Sequence, residues 1–221
     1  GVERWQANCG CRMDPDGDTQ QAWRAPLRNA MEWLANKVHC SFEREAAALL
    51  GDPWKARDEY GAVATRARTL DEFLDRRLPA THSQADRVQA AELLEGERNA
   101  LRLLTSCGWF FDDLAGLEPV QILRYAARAL ELARIDTEDL EAGFLSRLQS
   151  AESNEPTRRD GPTIFLEEAK PRIPAHVRVA GGIAALRREG RMIPSLPGFV
   201  SQVEDRGRIQ VQQTGTKRSW A

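Results

Sequence analysis

From Leu27 to Leu49 the chain repeats one pattern. Leu27, Met31, Leu34, Val38, Phe42, Ala46 and Leu49 stand three or four residues apart. That spacing gathers all seven on one side of a 3.6-residue helix, so the segment must bury a long apolar stripe against other elements. Pro26 falls near the first turn, where its missing N–H costs nothing, and Gly51 with Pro53 ends the run.

The same period returns along the chain. A second helical stretch covers about residues 54–78, with a break near Arg68-Thr69. Its later face carries Leu70, Phe73 and Leu74, and Pro79 stops it. Ser83 caps a third helix that continues to about Cys107 with the stripe Val88, Ala91, Leu94, Leu101 and Leu104. Gly108 then takes a left-handed C-cap. Glu118-Pro119 opens a fourth helix with Val120, Leu123, Ala127 and Leu130 on one face, and Asp136 or Thr137 caps a fifth that buries Leu140, Phe144, Leu145 and Leu148. Residues 151–162 form a polar loop, and one more helix runs from Ala175 to Arg188, weakened by Gly181 and Gly182. Beyond Gly190 the signal fades. Arg208 to Gln212 alternates like a short strand without an evident partner.

The fold expected is all-α: an antiparallel helical bundle with a poorly structured or short β C-terminal tail. Its parts are an N-terminal loop segment (1–22) with a turn at Asp14-Pro15-Asp16-Gly17, the bundle (23–150), a loop with additional helices (151–190) and a basic tail (191–221).

Composition excludes some partners. No apolar run approaches the ~20 residues of a membrane span, and no signal-peptide pattern opens the chain. Four scattered cysteines do not make a disulfide scaffold, so a reducing cytoplasm is expected. The chain starts at Gly1 without a methionine, which suggests a fragment of a longer protein or a processed chain. From Lys170 onward ten basic residues face three acidic ones, so this end carries +7 and the remainder −9 of the net −2. No aromatics interleave with those cations, so a solvated end, or one folded back on the acidic body, is favoured over nucleic-acid binding; the alternative is a stand-alone helical module that binds a protein or nucleic acid through this arginine-rich end.

Few residues suggest chemistry. Cys9-Gly10-Cys11 lacks the usual zinc-knuckle spacing, no second pair follows, and C-x-x-C is the usual redox form. His39, His82 and His176 are far apart and read as structural or exposed. No metal, cofactor or catalytic residue is expected. The run Thr105-Ser106-Cys107-Gly108-Trp109-Phe110-Phe111-Asp112-Asp113 is different, since a helix end does not need three rings beside two acids. Flat apolar faces and carboxylates suit a sugar. The same rings could lid a bundle end, and the same acids could cap a helix or sit in a loop, so the residues alone leave both roles open.

At these residues a family resemblance emerges. The run TSCGWFFDDLAGLEPVQILRYAARALELA (105–133) resembles the C-terminal helical region of bacterial proteins related to glycoside hydrolase family 57, where it is catalogued as a domain of unknown function. GVERWQANCGC (1–11), WRAPLRNAMEWL (23–34), EREAAALLGDPWKARDEY (43–60) and GPTIFLEEAKPRIPAHVRVAG (161–181) resemble the same region. The resemblance implies that the catalytic carboxylates belong to an N-terminal (β/α) barrel outside this chain. It implies a non-catalytic accessory portion of an α-glucan hydrolase or glucanotransferase, partnered by that barrel and by an oligo- or polysaccharide. Trp109, Phe110, Asp112, Asp113 and Trp5 would touch substrate, and Trp5 and Cys9 would lie near the junction with the barrel.

Overall fold

The computed structural model describes residues 3–13, 16–133, 135, 137–171, 173–196, 198–204 and 207–221; of Trp5 and Thr137 it describes only the backbone. Eight helices make most of it. They are α1 (Arg24–Leu50), α2 (Pro53–Ala64), α3 (Leu70–Arg77), α4 (Gln84–Arg102), α5 (Leu117–Leu132), α6 (Thr137–Leu148), α7 (Gly161–Ile164) and α8 (Ala175–Arg188). Single 3-10 turns cover Glu3–Trp5 and Ser106–Trp109, and a π-helical turn, Phe165–Ala169, continues α7.

α1 spans roughly 40 Å at 1.5 Å per residue, long enough to serve two apolar clusters. Its first half, Leu27 to Val38, packs with the start of α5, with α6 and with the α7 turn, around Trp23, Trp109, Phe144 and Phe165. Its second half, Phe42 to Leu50, packs with α2, α3 and the first turns of α4, around Tyr60, Phe73 and Leu94. Gly51, at φ +72, turns the chain out of α1 in a conformation that disfavours side chains. Asp52 then caps α2 on the Lys55 N–H, and capping boxes at Thr69 and Ser83 start α3 and α4. Ala151, Ile164, Phe165 and Ala169 join the first cluster, so residues 151–169 are continuous with the bundle core.

Three features differ from expectation. α4 ends at Arg102, not near Cys107, and Leu101 on its last turn points outward. Gly108 is not left-handed and lies inside the 3-10 turn. Its need for glycine is packing, since a Cβ there would lie 1.4 Å from the Ile122 Cδ1 of α5. The strand at residues 209–213 does have partners. β1 (Phe199–Val203), β2 (Ile209–Gln213) and β3 (Ser219–Trp220) form an antiparallel sheet in that order, with Ser201 and Trp220 both opposite Val211. The partner strands lack the alternation that periodicity detects. Asp14, Pro15 and Asp136, and the Thr137 side chain, lie outside the described residues.

The basic end folds back on the acidic body. Lys170 pairs with Glu141 of α6 at 2.6 Å, Lys217 with Asp71 of α3 at 3.1 Å, and Arg218 with the buried Glu92 of α4 at 3.0 Å. His176 stacks on Trp220 with ring centres 4.2 Å apart, which ties α8 to β3. No helix among the described residues is long and apolar enough to cross a membrane.

Several carboxylates, Asp71 at one of these ties and others at helix caps, sit below their ordinary pKa. Hydrogen bonds from Arg87, then Lys217, lower Asp71; the Thr69 backbone N–H lowers Glu72, that of Ser83 lowers Asp86, and Thr163 lowers Asp160. The folded state therefore binds fewer protons there than the unfolded chain. Their stabilisation is complete above the ordinary carboxylate value of about 4 and is lost as pH falls through the lower folded values. The expected outcome is a urea midpoint that drops below about pH 4, and a shallower drop in the Glu72→Gln/Asp86→Asn double variant. A wild-type midpoint that does not fall in that range contradicts the assignment.

Candidate functional site

The segment between α4 and α5 was the sequence's strongest candidate. After Arg102 the chain makes the 3-10 turn Ser106–Trp109 and then a loop that Gly116 ends by capping α5. The turn Glu3–Trp5 packs beside it and beside the start of α1.

Trp109 is fully buried in the first cluster. Its indole N–H donates to the Arg24 carbonyl at 3.3 Å, and the Arg28 guanidinium carbon lies 5.7 Å from its ring centre. Stacking needs an open ring face, and a side chain with no exposure offers none. The sugar contact expected of Trp109 is therefore not available in this arrangement, and the ring acts as the bundle's lid. Phe110 is the exposed ring, 41 % accessible, set edge-on to Phe111 with centres 5.3 Å apart and with the Arg4 guanidinium carbon 5.0 Å from its centre. Trp5 belongs to the Glu3–Trp5 turn, but its side chain is outside the described part.

The two acids face different segments. The Asp112 carboxylate accepts the Met13 N–H at 2.8 and 3.0 Å, and the Gln21 amide at 3.2 Å. The Asp113 carboxylate accepts the Ala115 N–H at 2.7 Å, the Asn154 N–H at 2.5 Å and the Ser153 hydroxyl at 2.9 Å. The Asp112 carbonyl accepts the Trp23 indole N–H at 3.2 Å and the Asn154 side-chain amide at 2.9 Å. Asn154 also joins Gln20, both its N–H and its carbonyl. One dipeptide thus knots the N-terminal loop, the start of α1 and the 151–160 loop. Much of the carboxylates' hydrogen-bonding capacity goes to the protein itself.

Gln20, Gln21, Ser153 and Asn154 carried no sequence signal, because polar loop residues have no periodicity. Arg24 is a second surprise: an arginine with no exposure at the first position of α1. It donates to Gln21 Oε1 at 2.5 Å, to the Phe111 carbonyl at 3.1 Å and to Cys9 Sγ at 3.7 Å. Burial lowers its pKa, although its guanidinium remains charged at any ordinary pH.

The histidines and the other buried acids tie elements together. His39 Nδ1 meets the buried Glu97 at 2.7 Å, with Arg57 at 3.7 Å from the same carboxylate, joining α1, α2 and α4. His82 Nδ1 contacts the Pro79 carbonyl. All four cysteines are free thiols, and among the described residues no group of three or more His, Cys, Asp or Glu is placed to hold a metal. A groove of about 370 Å³ lies elsewhere, between α5, α6 and the π-helical turn, over Leu130 and Phe165 with Lys170 and Glu141 at its rim.

Trp109→Ala is expected to destabilise the fold by about 3–5 kcal/mol, the cost of emptying a buried aromatic site. Asp113→Ala, which strands half-buried donors of the 151–160 loop, is expected to cost about 1 kcal/mol. Urea unfolding checks both. A Trp109→Ala loss below about 1 kcal/mol would mean that the ring is not a core element.

Neither a curated protein nor a solved structure matches the chain. Residues 20–210 match a family described as "Domain of unknown function (DUF3536)", a span that includes the segment between α4 and α5, Arg24, Asn154 and every helix except the N-terminal turn. The chain belongs to that DUF3536 family.

Proposed function

We propose that this chain is a non-catalytic helical accessory portion of a glycoside hydrolase family 57-like α-glucan hydrolase or glucanotransferase, and that the end of the bundle bearing Phe110 faces the catalytic barrel and its glucan. The observation that carries this reading is apolar surface. Met13, Leu101, Phe110 and Leu117 are all exposed, and all belong to the end where α1 begins, α4 ends and α5 begins. Large apolar side chains gathered at one end suit an interface better than solvent. The resemblance of residues 105–133 to the helical region that follows the barrel in those proteins supplies the partner's identity.

Within this reading the sugar contact passes from Trp109 to Phe110. The acids Asp112 and Asp113 hold the loop that presents that ring, and Trp109 braces it from behind. An arginine-rich end that binds nucleic acid is less well supported, because Lys170, Lys217 and Arg218 already face carboxylates of the body.

In the barrel-bearing parent protein, Phe110→Ala is expected to weaken maltooligosaccharide binding by about 1–3 kcal/mol with the thermal midpoint unchanged. Titration calorimetry reads the first quantity and a thermal melt the second. Unchanged binding would remove the sugar contact. Turnover of a maltooligosaccharide by the isolated chain would overturn the accessory role altogether.

A further inference from the structure

Arg24 raises a charge question that the glucan reading does not use. Its guanidinium is fully buried, and among the described residues no carboxylate lies within ion-pair distance of it. Two of its three contacts, the Gln21 side-chain oxygen and the Phe111 carbonyl, are neutral acceptors. Its Nε has no hydrogen-bond partner. A buried cation that cannot lose its proton is costly without a counter-charge. The third contact, Cys9 Sγ at 3.7 Å from Nη1, is the one group in that shell that can become an anion.

The surroundings of Cys9 favour that anion. The neighbouring Cys11 lowers the Cys9 pKa most, and Arg4 adds to the effect. With the Arg24 charge, these contacts hold the Cys9 thiol below the ordinary range. Asp112 acts on Arg24 only through space, while its carboxylate accepts the Met13 N–H and the Gln21 amide. Gly10, at φ +73, reverses the chain between the two cysteines. The Gln21 amide donates to the Cys11 carbonyl and fixes that turn on α1. Cys9 is half-buried and Cys11 exposed, so a small molecule can reach the pair.

We propose that Cys9 and Cys11 form a redox-active dithiol, with Cys9 the attacking thiolate, Cys11 the resolving thiol and low-molecular-weight disulfides the substrate class. The Cys9 thiolate attacks one sulfur of RSSR, forms a mixed disulfide and expels RS⁻. Cys11 loses its proton to solvent and attacks Cys9 Sγ. The mixed disulfide breaks, a second RS⁻ leaves, and the Cys9–Cys11 disulfide remains. The small disulfide is reduced to two thiols and the protein pair is oxidised by the same two electrons. A ring with one intervening residue is tight, and tight, exposed disulfides are readily reduced, so an excess of the small disulfide with little free thiol drives the step forward and added thiol reverses it.

The test uses the reduced full chain with oxidised glutathione as probe. Trypsin releases residues 5–12, which hold both cysteines, and mass spectrometry reads their state. The wild-type peptide is expected to end as the internal disulfide. Cys11→Ser should stop at a glutathione adduct on Cys9, and Cys9→Ser should leave Cys11 no faster than the exposed Cys40 and Cys107. With iodoacetamide near pH 6, Cys9 should label about tenfold faster than Cys40 and Cys107. Circular dichroism checks that both serine variants keep their helices. Labelling of Cys9 at the rate and pH profile of Cys40 and Cys107, or a glutathione adduct that persists in the wild-type chain, overturns the proposal. Neither outcome depends on glucan binding.

Discussion

The Asp112-Asp113 dipeptide is the joint on which the rest of the molecule turns. Its side chains and one carbonyl receive donors from the N-terminal loop, from Trp23 at the start of α1 and from the 151–160 loop. Each is a hydrogen bond between segments far apart in sequence, and the carboxylate ones are strengthened by charge. Without that joint the Met13 and Asn154 N–H groups would lose their carboxylate partners. With it, the 3-10 turn is pressed onto α5 closely enough that Gly108 admits no Cβ.

The two apolar clusters share α1 and divide the work. The first holds the large rings and the joint, and the second is smaller and ends in the turn at Gly51. The buried carboxylates of α4 link this arrangement to distant parts of the chain, Glu97 to His39 and Glu92 to Arg218. Three cations of the basic end, Lys170, Lys217 and Arg218, close on carboxylates of the anionic body. The apolar end around Phe110 and the thiol pair beside Arg24 are not used in these ties.

Helices were legible because their signals are local. Ser83, Pro53, Gly51 and the run Ala175 to Arg188 act within one turn of their own position, and the described elements follow them closely. The 3-10 turn at Ser106–Trp109 was not legible, since its stripe residues Leu101 and Leu104 continue the helical period although the backbone stops at Arg102. The sheet was half legible: β2 alternates, but β1 and β3 are defined by their pairing with it. For the site, sequence singled out the right segment and left its role open. Whether Trp109 offers a face or plugs a core depends on where Arg24 and Ile122 lie, and neither is near in sequence.

By itself, the sequence determined that this chain is built of helices, where most of them begin and end, and that its charge is divided between body and tail. Those properties depend on dihedral preference, capping and apolar spacing over a few residues. Tertiary structure alone decided that the paired acids bind backbone amides, that Trp109 is sealed while Phe110 is open, and that a buried arginine meets a cysteine thiol. Each of those depends on which donor, ring or cation arrives from elsewhere in the chain, and packing decides that, since local spacing carries no record of it.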